Sequence, residues 1–325
     1  MTLSELEHAP AFAVLGPGFS AEARWQLFTP AEAGDAALWL SAYEGSPTRV
    51  VGTLTSFAPE WAADAAPAVD LEESGFEANV VGIRERIAAG DVYQVNLTVR
   101  ARVHGVGGAG LLALLCSRAI PRFAAWVRLP GVGEFVSGSP ELLVETVDRW
   151  IHAEPMKGTA APGQRAALEA SVKDQAELAM ITDLTRNDLQ QLCVRGTVRV
   201  PAARRFLELP YVVQAVSDVE GQLREGVTLA EVVRVMHPGG SVTGAPRPAA
   251  MAVIRELESS PRRFYCGTLG LERGDRFRAA LLIRTATLLS ARSWEYGVGG
   301  GITWDSDPKG ELDEVRLKLG ALRQS

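Results

Sequence analysis

Cysteine is scarce. The three residues, Cys116, Cys193 and Cys266, lie too far apart in sequence to suggest a metal-ligating pair or a disulfide framework, and a reducing compartment fits. A basic excess is missing too: 33 Lys plus Arg face 39 Asp plus Glu, a net charge of −6. No broad cationic face is expected, so nucleic acid is not an expected partner. No run of 18 or more apolar residues suggests a membrane span. The opening MTLSELEHAP has no basic stretch before an apolar core, so no secretory signal is expected and a cytoplasmic location is. Internal repeats and low-complexity tracts are absent. What remains is an ordinary globular composition, 47% hydrophobic and 22% charged, in 325 residues, enough for one large or two modest domains.

Residues 60–75, EWAADAAPAVDLEESG, are Ala-rich and acidic and suggest a linker or short helix between an N-terminal piece and the main body. Phe76, Val80, Ile83 and Ile87 then recur at helical spacing up to Gly90-Asp91. VYQVNLTVR, FAAWVRL, GEFVSGS, LLVETV and RWIHAE follow as short strands. Residues 171–193 predict a long helix with Glu177, Ile181, Leu184 and Asp188 on one face. YVVQAVSDVEG, FRAALLIRTATLL and SWEYGVGGGI are later strands. Asp307 is the expected N-cap of a last helix with Pro308 at its first position. Strands and helices in this irregular order predict an α+β fold.

Several stretches could carry chemistry, each with a plainer alternative. GGSVTGAP (239–246) precedes a helix, where free N–H groups favour an anion; it is also a glycine-rich turn and no more. GVGGGI (297–302) marks either a bulge or a strand that something approaches closely. Glu311 and Glu314 share a face of the last helix, and with Glu177 they form either solvated surface or an oxygen shell for a hard cation such as Mg²⁺. Glu141 and Arg284 are charges in apolar strand patterns: an internal salt bridge, or an acid of raised pKa and a fork for a substrate carboxylate. Lys157, in the short polar turn AEPMKGTAAPG, is either a solvated lysine or a nucleophile.

The motifs together resemble the chorismate-binding enzymes, which include the anthranilate, aminodeoxychorismate, isochorismate and salicylate synthases. GDVYQVNLT (90–98), SGSPELLVE (137–145), PMKGT (155–159), KDQAELAMITDLTRNDL (173–189), HPGGSVTGAP (237–246), YCGTLG (265–270), IRTATL (283–288) and GGGITWDSDPKGELDE (299–314) occur in the family's order. The resemblance implies a two-sheet β sandwich flanked by helices, with residues 75–325 as the chorismate-binding domain and the short portion 1–74 packing onto the same sandwich. Only about 70 residues precede the core, where relatives carry a longer portion, so tryptophan regulation is not an expectation.

A lysine in the PxxGT turn resembles the aminodeoxychorismate branch, in which it adds to the chorismate ring before ammonia displaces it. A lysine attacks only as the free amine, so the site has to favour that form. By the same resemblance Glu141 is the acid that protonates the departing hydroxyl, and Gln94, in place of a water-activating lysine, favours ammonia. Glu177 and Glu311 bind Mg²⁺ with Glu314 behind them. Arg284 and Tyr265 grip the enolpyruvyl carboxylate, and Thr243, Gly244 and Gly301 contact substrate. The implied partners are chorismate, ammonia and a glutamine amidotransferase (glutaminase) subunit, with the product feeding p-aminobenzoate and folate. Anthranilate synthase component I and a non-catalytic partner of the same fold are the rival expectations. Arg247, Gln214, Leu271 and Met156 depart from the family's pattern; Gln214 replaces a histidine that many anthranilate synthases use in pyruvate elimination.

Overall fold

The computed structural model describes residues 2–61, 66–209 and 212–322. Its strands form one continuous antiparallel ribbon. From Ala68–Glu72 the ribbon runs through Gln94–His104, Ser293–Ile302, Thr285–Ser290, Gly133–Ser139, Phe123–Leu129 and Phe12–Leu15. Gln26–Pro30 and Thr48–Ser56 carry it across to Ala36–Ser41. It continues through Thr268–Arg273, Arg276–Leu281, Leu142–Val147, Trp150–Ala153 and Val212–Gln222. The ribbon folds back on itself. Phe123, Val127 and Phe135 from one arm share a buried cluster with Leu38, Leu269 and Ala280 from the other. Face-to-face burial of two such arms is the expected α+β sandwich. Helices Phe76–Ala89 and Arg247–Leu257 pack on the Gln94–His104 strand from outside.

The helix at Phe76 ends at Gly90 as expected, because Gly90 adopts a positive φ of 83° and its N–H caps the last turn. Helix Val172–Leu192 buries Glu177, Ile181 and Asp188 on one face, with Leu184 only half-buried beside them. Asp307 accepts from the Gly310 N–H and starts Pro308–Lys318.

Three expectations change. The supposed linker contains the strand Ala68–Glu72, paired with Arg100–His104; residues 62–65 lie outside the described residues. Val69 and Leu71 alternate inward against the core while Ala68, Asp70 and Glu72 face out, so acidic composition hid a period of two. The PMKGT turn is also a strand, Met156–Ala160, paired with Val212–Gln222 across a bulge between Met156 and Thr159. Gly158 there has φ +91°, a conformation glycine adopts without a Cβ penalty. The FRAALLIRTATLL run breaks into two strands around Arg284, whose φ is +51°.

Beneath the sandwich edge lies a charge network that the sequence did not announce. Glu258 accepts from Arg262 (2.6 Å), from Arg100 (3.0 Å) and from the Thr98 N–H (3.0 Å), with all three charged side chains buried. Burial alone would raise the Glu258 pKa, yet Arg262 and Arg100 hold it below the usual carboxylate range. Arg262 also donates to Val242 O and Asn96 O, at 2.6 Å each, and so fixes two backbone segments that border the cavity described below. Glu258→Gln leaves two buried guanidinium groups short of a counter-charge. We expect it to cost about 3–5 kcal/mol of unfolding free energy, measured by urea titration; a cost within 0.5 kcal/mol would show that the arginines find other acceptors.

Candidate active site

A cavity of about 510 Å³ opens where the bulged strand Met156–Ala160, the glycine strand ending at Ile302 and helices Val172–Leu192 and Pro308–Lys318 meet. Lys157 reaches into it from the bulge. Its side chain is 19% exposed and its Nζ lies 3.1 Å from Glu177 Oε2, so it is not a solvated turn lysine. The bulge is what turns it: the extra residue shifts the strand's alternation at that point.

Glu141, between two strands of the sandwich, lines the same cavity and is buried. Its Oε1 accepts from Ser241 Oγ at 2.9 Å. Burial pushes its carboxyl up to about 7, against the lowering effects of the Ser241 hydrogen bond and the Lys157 charge. Arg284 lines the cavity half-buried, and no carboxylate pairs with it among the described residues. The internal-salt-bridge account of Glu141 and Arg284 therefore fails. An unpaired guanidinium on a cavity wall is a ready fork for a carboxylate. Tyr265 also lines the cavity, its hydroxyl held protonated by burial.

The glycines of GVGGGI pair continuously with Val95–Arg100, so no bulge explains them. Close approach does. A Cβ on Gly301 would fall 2.3 Å from Gln94 Nε2 and 2.8 Å from Lys157 Nζ. A Cβ on Gly300 would fall 3.4 Å from Glu311 Oε2 and 3.9 Å from Glu314 Oε1. The bare strand is the floor on which the lysine and the carboxylates rest.

Glu177 and Glu311 are buried, and Lys173 Nζ sits 3.9 Å from an oxygen of each. Glu311 also accepts from Ser306 Oγ at 2.6 Å. Glu314 is more exposed and bonded to Lys318 at 2.7 Å; burial would raise its pKa, but Lys318 brings it down. Two buried carboxylates sharing one ammonium, a third beside them over a glycine, and neither histidine nor cysteine in the set suit a hard divalent cation such as Mg²⁺ and not zinc. Among the described residues, the one group with ligand atoms all within 4.8 Å of each other is His152, Glu154 and Asp218. It does not line the cavity, and Arg122 and Arg205 already neutralise its carboxylates.

Eight sequence candidates thus meet at one cavity: Lys157 and Glu141, the three glutamates, and Tyr265, Arg284 and Gly301. Gln94 lies behind the wall, against Gly301. Thr243 and Gly244 do not line the cavity. Thr243 is fully buried and its hydroxyl donates to Gly239 O, while Gly244 pairs with Val95. The hydroxyl of GGSVTGAP that faces the site is Ser241, and no spacing rule separates two hydroxyls so close on one short helical turn, Gly240–Thr243. That turn is too short to present an N-terminal anion site. Asn96 and Lys173 were also missed, although both lie inside motifs already singled out.

A family model described as chorismate binding enzyme matches residues 28–324. Anthranilate synthase component 1 of Aeropyrum pernix is 35% identical over 270 residues, covering 80% of this chain and 61% of that one. Aminodeoxychorismate synthase component 1 of Escherichia coli is 35% identical over 251 residues, covering 74% and 55%. The chain therefore spans little more than half the length of these curated relatives. Among solved structures, anthranilate synthase component I from Streptococcus pneumoniae superposes with a TM-score of 0.78 at 19% identity over 97% of this chain and 91% of its own, a likeness of fold.

Proposed function

Since the chain belongs to the chorismate-binding enzyme family, we propose that it is an aminodeoxychorismate synthase component I, converting chorismate and ammonia to 4-amino-4-deoxychorismate and water. The observation that carries this reading is Lys157, an amine held against Gly301 inside the cavity that Glu141 also lines. Relatives bearing both the anthranilate and the aminodeoxychorismate name match the chain, so the choice rests on this residue's chemistry.

The free amine of Lys157 adds to C2 of the ring, the double bonds shift, and the C4–O bond breaks. Glu141 gives its proton to the departing oxygen, which leaves as water. Ammonia then forms the C4–N bond, the double bonds shift back, and the C2–N bond to Lys157 breaks with its electron pair returning to the lysine. The new C4 ammonium passes one proton to the Glu141 carboxylate, which restores the acid. Arg284 and Tyr265 hold one substrate carboxylate, fixing which ring carbon faces Lys157. Glu177 and Glu311, backed by Glu314, would hold Mg²⁺, whose charge would anchor the other carboxylate. Ammonia would come from a separate glutaminase subunit in the cytoplasm, and the product would serve p-aminobenzoate and folate synthesis.

Mass spectrometry of the product from chorismate, Mg²⁺ and ammonium chloride tests the assignment: a mass one unit below chorismate with the enolpyruvyl group retained supports it. Fluorescent anthranilate formed without any added lyase would replace it with the anthranilate synthase reading. Gly301→Ala puts a methyl group into the space of Lys157 and Gln94. We expect kcat to fall by about a hundredfold, the penalty of displacing a reacting group by an ångström, with an unchanged circular dichroism spectrum; wild-type turnover would place Lys157 away from the reaction.

A further inference from the structure

One buried acceptor in the cavity has no donor. Gln214 lies in the Val212–Gln222 strand, lines the cavity and is 5% exposed. Among the described residues no donor reaches its Oε1. In register it stands between Thr159 on the Met156–Ala160 strand and Leu207 on its other side, beside the bulge that turns Lys157 inward. Buried carbonyl oxygens are nearly always paired, and one left open on a cavity wall is shaped for a donor that arrives with a ligand.

The chemistry of the surroundings narrows that donor. A substrate carboxylate brings only lone pairs and would be repelled, and Arg284 already offers it a receptor. The departing hydroxyl has one hydrogen and sits with Glu141, whose other partner is Ser241. Gln94, whose amide reaches Gly301 beside Lys157, carries a second unmatched carboxamide oxygen. A cavity wall with an acceptor to spare, Gln214 Oε1, calls for a ligand that donates an N–H and can still leave one lone pair free, which describes ammonia.

We propose that Gln214 seats the incoming ammonia, its Oε1 accepting one N–H so that the nitrogen lone pair is turned toward the ring. The proposal rests on the aminodeoxychorismate reading and adds to it the residue that binds the second substrate. The nitrogen forms its bond to C4 from this seat and gives its surplus proton to the Glu141 carboxylate, as in the scheme above.

Gln214→Met keeps the side chain's length and removes the acceptor. With ammonium chloride as nitrogen source at fixed pH, Mg²⁺ and saturating chorismate, its KM for ammonium should rise about tenfold, the loss of one hydrogen bond. Its KM for chorismate and its kcat at saturating ammonium should stay within about twofold of wild type. Because no protein donor among the described residues is lost with the oxygen, the thermal unfolding midpoint of Gln214→Met should equal or exceed that of wild type. An unchanged ammonium KM, a raised chorismate KM or a lowered midpoint each overturns the proposal. Wild-type enzyme in the same assay separates the two failures: 4-amino-4-deoxychorismate with an unchanged ammonium KM in the variant sinks the seat alone, whereas anthranilate or no aminated product from wild type sinks the reading beneath it as well.

Discussion

Lys157→Ala is expected to lower kcat for chorismate consumption by about a thousandfold or more, because an enzyme that loses its covalent nucleophile retains only binding and electrostatic help. Folding should be little affected. Among the described residues Lys157 has one ion-pair partner, Glu177, which is also within reach of Lys173 at 3.9 Å, so the carboxylate keeps a cationic neighbour after the change. Lys157→Arg should fail almost as badly, since a guanidinium does not give up its proton to become a nucleophile. The direct check is mass spectrometry of wild-type protein incubated with chorismate and no nitrogen source: a peptide containing Lys157 should carry the ring, and the alanine variant should carry nothing. An alanine variant that consumes chorismate at the wild-type rate and yields the same product would end the covalent scheme.

What the sequence displayed and what it hid have physical causes. The interior strand FAAWVRL was legible because, apart from Arg128, it is apolar on both faces, and both faces are buried. The face of helix Val172–Leu192 was legible because Glu177, Ile181 and Asp188 obey a period of 3.6. Ala68–Glu72 was hidden because its inward residues are only Val69 and Leu71, and its outward ones are acidic. Arg199–Leu209 was hidden for a related reason. Arg199 and Arg205 find Glu220 and Asp218 on the neighbouring strand, so a charged run becomes a ladder only once its partner is in place. The same limit applies to the site. A motif names Glu141 and Lys157, but Ser241's hold on Glu141, Gln214's empty acceptor and the Arg100–Glu258–Arg262 network are long-range relations. Local spacing carries no trace of them.

Glu141→Gln should lower kcat by about a hundred- to ten-thousandfold, the usual range for a general acid, and should also remove the enzyme's alkaline limb. The wild-type carboxyl, pushed up to about 7 by burial, donates its proton only below that pH. Wild-type kcat should therefore fall as pH rises through about 7, while the residual rate of the glutamine variant should be flat there. Ser241→Ala supplies an opposite check. The Ser241 hydrogen bond favours the ionised carboxylate, so its loss should raise the carboxyl further and move the limb to higher pH. Stability gives an independent readout with a fixed sign. The folded state holds the Glu141 proton more tightly than the unfolded chain, whose carboxyl has the ordinary value of 4.5, so wild type loses stability as pH rises from 4.5 through about 7. A neutral amide escapes that loss. Glu141→Gln should then be more stable than wild type at pH 8, by up to about 3 kcal/mol if the whole shift is realised, and the margin should vanish below pH 4.5. A variant no more stable at pH 8 than at pH 4, relative to wild type, would mean that water or a counter-charge already solvates the wild-type carboxylate, and Glu141 could not be the acid that frees the C4 oxygen.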